Sequence, residues 1–332
     1  MKAAIVGLEG PRLTPDEAEL FRAHPPAGAV LFGRNVRSAA QVRDLVGALR
    51  QTLPAGAVLM VDQEGGRVAR LRPPDWRAHP PAATLGRRFT DDGAAGLRAA
   101  WLTGALIGLD CAAAGFDVVA APVLDRAIPG AHAVIGDRAP AADTGAVAQI
   151  GGAIAAGLLA AGIQPVGKHA PGHGRALADS HLALPRVEAD ADSLAEDLLP
   201  FALNADLPWL MTAHILYPVW DAELPATLSP AIIGGIIRGR IGFRGVLVTD
   251  DLAMQALTGA PFERAVRALG AGCDIALYCS GEFAPTAALL AACPDLTDAA
   301  RERLDAAYAL AASRRLALNA EVLAAERDRL LA

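Results

Sequence analysis

The chain has 332 residues, 53% hydrophobic and 20% charged, with 30 Lys and Arg against 36 Asp and Glu for a net charge of −6. So apolar a composition excludes an intrinsically disordered chain, and mild acidity with scattered arginines excludes the concentrated basic stripe of a nucleic-acid-binding surface. Only Lys2 and Lys168 are lysines, so 28 of the 30 basic residues are arginine. Four cysteines (Cys111, Cys273, Cys279, Cys293) form no CxxC pair, which supports neither a disulfide framework nor a structural zinc site.

From the N-terminus, the apolar run that ends at Glu9 is shorter than a signal-peptide core, so the expected location is the cytoplasm, with no membrane partner. Short apolar runs then recur at 3–7, 29–32, 58–61, 117–121, 164–168, 209–212, 245–249 and 274–278. Helical patterns fall between them at 39–49, 93–114, 191–203 and 230–240, and the charge-free stretch 144–167 reads as an Ala-rich helix running into a strand. Eight strands alternating with helices predict an α/β fold, a single (β/α)8 TIM-type barrel over residues 1–332 that ends in a helix at about 299–331. A doubly wound sheet is the structural rival, but Gly7-Leu8-Glu9-Gly10 lacks the third glycine of its phosphate-binding turn.

In a barrel the functional groups follow the strand ends. The third run ends in Asp62-Gln63-Glu64-Gly65-Gly66-Arg67, the fifth in Lys168-His169-Ala170-Pro171-Gly172-His173-Gly174, the sixth in Thr212-Ala213-His214 and the seventh in Asp250-Asp251. Alternation places Val246, Val248 and Asp250 on one face and Leu247, Thr249 and Asp251 on the other, without saying which looks inward. Asp251, ahead of Leu252-Ala253-Met254, suits a helix N-cap. Lys168 stands out in a chain that otherwise uses arginine, and marks a position suited to a compact ammonium. His169, His173 and His181 fall within thirteen residues, readable as a metal site or as an Asp179–His181 pair in which a carboxylate orients an imidazole for proton transfer.

Together these segments resemble the β-N-acetylglucosaminidases of glycoside hydrolase family 3, in the single-domain bacterial form of cell-wall recycling. The resemblance rests on Leu31-Phe32-Gly33-Arg34-Asn35, on 61–68, on Ala121-Pro122-Val123-Leu124-Asp125, on Ile135-Gly136-Asp137-Arg138, on 168–174 leading to Asp179-Ser180-His181, and on 243–254. It implies Asp250 as nucleophile, His181 as acid/base with Asp179 as its partner, and a sugar-binding set of Asp62, Arg70, Arg138, Lys168 and His169. The implied reaction is retaining, exo-acting hydrolysis of terminal β-linked N-acetylglucosamine from anhydro-muropeptides, without cofactor or metal, by a monomer or weak homo-oligomer whose partner is a small carbohydrate. Ala170 and Ala139-Pro140 depart from the family pattern at positions expected to shape the pocket walls. The competing readings are phosphorolysis on the same site, a metal-dependent hydrolase and a non-catalytic sugar-binding barrel.

Overall fold

The protein, described by a computed structural model over residues 1–180 and 182–332, is built on eight parallel strands. They are β1 (Lys2–Gly7), β2 (Pro26–Leu31), β3 (Val58–Val61), β4 (Val118–Val119), β5 (Gln164–Ala170), β6 (Trp209–Thr212), β7 (Val246–Val248) and β8 (Ala276–Tyr278). Each of β1 to β6 pairs with the next in order and β8 pairs with β1. A parallel bridge from Val248 to Ile275, with the Thr249 N–H donating to the Ile275 carbonyl at 3.1 Å, joins β7 to β8 and brings the sheet around into a barrel.

Both faces of these strands are buried, so their sequences read as continuous apolar runs. Ile5, Val30, Met60, Val118, Val166, Trp209, Val246 and Val248 pack on one another inside the barrel. Val6, Leu31, Leu59, Val61, Leu210 and Leu247 face outward under the helices. The helix Asp298–Arg314 contributes Ala300, Leu304 and Ala307 to the interior cluster.

The charge-free stretch is the helix Thr144–Ala160 followed directly by β5, as its composition predicts. Its small residues serve a close crossing with the helix Gly93–Ala114: a Cβ on Gly104 would lie 2.1 Å from the Ile154 carbonyl, and one on Gly157 2.1 Å from that of Trp101. Gly93–Ala114 is long and apolar enough to cross a membrane by length and composition, and is mostly buried against its neighbours. The expected C-terminal helix is two, Asp298–Arg314 and Ala320–Leu331. The 230–240 pattern forms a π-helix, Ile232–Arg240. A hairpin, Gln63–Gly65 paired antiparallel with Val68–Ala69, follows β3 and is not visible as a periodic pattern because it is only two to three residues long on each side.

Candidate active site

Alternation along the strands carries directly into the site. Met60 points into the barrel, so Asp62 and Glu64, at successive steps of two, continue on the same face at its mouth. Val166 places Lys168 there, and Val246 with Val248 settles that Asp250 is the inward carboxylate. These groups line a cavity of about 280 Å³ together with Arg70, Arg138, His169, His173 and Ser180, floored by Val30, Met60, Ala120, Met211 and Leu277.

One wall is a chain of charges. The Lys168 ammonium lies 3.0 Å from Asp62 Oδ1 and 2.6 Å from Glu64 Oε1. Arg138 grips Glu64 with two parallel N–H···O contacts of 2.8 Å, and Arg70 Nη2 donates to Asp62 Oδ2 at 3.1 Å. Burial alone would raise both carboxyls, but Lys168 and Arg70 around Asp62, and Lys168 and Arg138 around Glu64, hold both below the usual range. Burial works against the Lys168 ammonium in turn, and the two carboxylates outweigh it and raise its pKa. The wall is therefore fully ionised at neutral pH, with fixed donors and acceptors directed at whatever fills the cavity. The Arg70 guanidinium also stacks over Phe32, 5.0 Å from the ring centre.

His169 is held from behind. Its Nδ1 lies 2.6 Å from Asp125 Oδ2, which assigns the proton to Nδ1 and leaves Nε2 to accept from Arg138 Nη2 at 3.4 Å. The same buried carboxylate accepts the backbone N–H of His173 at 2.6 Å. His173 stands edge-on to His169 with ring centres 5.5 Å apart, its Nε2 3.1 Å from the Ser180 hydroxyl. Burial, reinforced by His169, pushes its pKa down to about 4. Each imidazole thus has its own partner, and among the described residues no three His, Cys, Asp or Glu are grouped to hold a metal ion.

The two aspartates after β7 divide their work. Asp251 accepts from the N–H groups of Ala253 and Cys279, both at 2.9 Å, which ties the chain after β7 to the end of β8. The expected N-cap is thus a turn-and-strand anchor: residues 252–257 are turns and bends and the next helix begins at Pro261. Asp250 accepts the Asp251 N–H at 2.8 Å, with no other hydrogen bond to its carboxylate among the described residues. Burial would raise its carboxyl, but the imidazoles of His169 and His214, that N–H and the Lys168 ammonium bring it below the usual value. This ionised carboxylate therefore faces the cavity with one oxygen that none of the described residues engages.

Of the residues marked in the sequence, Asp62, Arg70, Arg138, Lys168, His169 and Asp250 converge on one cavity. Asp179 sits beside Ser180, whose hydroxyl meets His173 and whose carbonyl accepts the Ala256 N–H at 3.2 Å, so this loop is fastened next to the Asp250 segment. His181 lies outside the described residues. Ala170, Ala139 and Pro140 do not line the cavity, which corrects the expectation that they shape its walls; Ala170 packs in the layer between strands and helices. Glu64 and Asp125 were not singled out in the sequence. The period of two from Asp62 marks Glu64, whereas nothing local distinguishes Asp125 from a turn residue.

A match to the glycosyl hydrolase family 3 N-terminal domain covers residues 4–311. The chain belongs to glycosyl hydrolase family 3. The family 3 chain is 42% identical over 296 residues to a beta-hexosaminidase of Methylococcus capsulatus, covering 87% of this chain and 86% of that protein. It is 36% identical over 307 residues to the beta-hexosaminidase of Aromatoleum aromaticum, covering 91% and 86%. The crystal structure of NagZ from Neisseria gonorrhoeae in complex with N-trifluoroacetyl-D-glucosamine superposes with a TM-score of 0.87 at 31% identity, covering 100% of this chain and 98% of that one. The protein is a glycoside hydrolase, and the ionised cavity at the C-terminal mouth of its barrel is where such an enzyme places its chemistry.

Proposed function

We propose that the enzyme is an exo-acting, retaining β-N-acetylglucosaminidase that removes terminal non-reducing N-acetylglucosamine from anhydro-muropeptides in the cytoplasm. The observation that carries this reading is Asp250, an ionised carboxylate opposite a wall of fixed charges, with one oxygen that none of the described residues engages. The carboxylate attacks the anomeric carbon as the glycosidic C–O bond breaks, and His181, oriented by Asp179, gives its proton to the departing oxygen. His181 then takes a proton from water, whose oxygen displaces Asp250 and restores the original anomeric configuration. The fastening of Ser180 to both His173 and Ala256 supports this reading, because it holds the residue next to Asp179 close to the segment that carries Asp250. Asp62, Arg70, Arg138, Lys168 and His169 bind the hydroxyl and acetamido groups of one sugar, and a closed wall with a cavity of about 280 Å³ suits the terminal residue of a chain better than an internal one.

The test is an aryl β-N-acetylglucosaminide followed by NMR. Chromophore release with the β anomer appearing first is expected; no release from any aryl hexosaminide, or the α anomer first, overturns the reading. Adding inorganic phosphate should leave free sugar as the product by mass spectrometry, and a sugar phosphate would mean phosphorolysis.

His181→Ala should slow substrates with poor leaving groups about 10²- to 10⁴-fold and activated aryl substrates far less, because a good leaving group departs without the proton. A Brønsted plot of kcat against leaving-group pKa checks this, and equal losses across the series would remove His181 as the acid.

A further inference from the structure

The hairpin that carries Glu64 and precedes Arg70 is held from outside the cavity by a line of contacts that ends on the C-terminal helix. Its turn glycines take positive φ angles of 102° and 55° and lie flush on the segment 79–81: a Cβ on Gly65 would be 2.3 Å from the Pro80 carbonyl, and one on Gly66 2.7 Å from Pro81 Cβ. The Gly66 N–H donates to the His79 carbonyl at 2.9 Å. The His79 ring is itself buried, with Nε2 3.1 Å from Asp110 Oδ2 and Nδ1 3.2 Å from Arg327 Nη1. Arg327 has only donors, so Nδ1 accepts and Nε2 donates to Asp110, which fixes the ring between two helices. Arg327 is 7% exposed and sits on Ala320–Leu331, beyond the family match at 4–311.

From this line of contacts we infer that Arg327 is a positioning residue: through His79 it sets the Glu64–Arg70 wall of the sugar site, so that the C-terminal helix tunes substrate affinity without touching substrate. The inference rests on the proposed role of that wall in binding sugar.

Arg327→Met keeps the buried stem and removes the donors. It should raise KM for an aryl β-N-acetylglucosaminide roughly threefold to thirtyfold, the span of coupling between linked sites, while kcat stays within about twofold. Arg327→Lys should recover part of the loss. Arg98→Met, which breaks the 2.8 Å pairing with Glu326 on the same helix but leaves the line to the hairpin intact, should leave KM unchanged. An unchanged KM in Arg327→Met, a fall in kcat alone, or an equal rise in KM with Arg98→Met would overturn the inference.

A measurement on the unaltered enzyme covers the case in which the variant does not fold. Because coupling is reciprocal, saturating N-acetylglucosamine should slow amide exchange in 320–331 as well as in 63–70. Slowing confined to 63–70 overturns this inference alone, whereas no slowing in either segment overturns the sugar-site reading and the inference with it.

Discussion

Asp250→Ala is expected to lower kcat on an aryl β-N-acetylglucosaminide by about 10⁴-fold or more, with the fold and its thermal midpoint little changed. The loss is large because, in the proposed mechanism, the carboxylate supplies a covalent step that water cannot replace in the same geometry. The fold should tolerate the change because the Asp250 side chain accepts one backbone N–H, while the structural ties after β7 belong to Asp251. Steady-state kinetics with circular dichroism checks both halves. Azide, small enough to enter the space left by the carboxylate, should restore turnover and give the α-glycosyl azide. Activity near wild type in Asp250→Ala, or a loss that azide does not rescue in a variant that keeps its fold, would remove Asp250 as the nucleophile.

Lys168→Met should cost about 3 to 5 kcal/mol of stability and most of the activity. The Lys168 side chain is 3% exposed and stands between the partly exposed Asp62 and Glu64, which is 7% exposed, so its removal leaves two carboxylates short of one cation, and an unpaired charge in so enclosed a site is costly. Arg70 and Arg138 still face them, which places the expected loss at the lower end. The pH dependence separates this cause from a simple packing defect. In the wild type the carboxyls titrate below their ordinary values of 3.8 and 4.5, so the stability they contribute is complete above those values and is lost as pH falls through the lower folded-state ones. The Lys168 contribution is complete below its ordinary value of 10.5 and lost only as pH rises past the raised folded-state value. Without the ammonium, protonating a carboxyl relieves the imbalance, so the deficit in thermal midpoint relative to wild type should shrink between pH 7 and pH 4. Melting curves at those two pH values decide it; a constant deficit would point to lost packing instead.

The barrel was legible because parallel strands buried on both faces are short apolar runs, and all eight stand in the sequence within a few residues of where they fold. Boundaries drifted where a neighbouring chain sets them. Only Val118 and Val119 remain as strand from the run at 117–121, because the Asp117 carboxylate turns away to accept from Leu59 N–H and Arg50. The hairpin at 63–69 escaped because its turn glycines are explained by what they rest on, Pro80 and Pro81, and not by any local pattern.

Lys168 shows how the two levels divide. Its rarity among the basic residues and its place at a strand end mark it from the sequence, which also determined the barrel, the inward or outward parity of each strand-end residue and the set of motifs that make this a family 3 enzyme. Which parity faces the interior, that Lys168 bridges Asp62 and Glu64, that Asp125 holds His169 from behind and that Arg327 meets His79 were decided only by the tertiary structure. The physical reason is range: parity and propensity act over a few residues, whereas these ion pairs and hydrogen bonds join residues 44 to 248 positions apart, brought together by burial of a core that no local segment specifies.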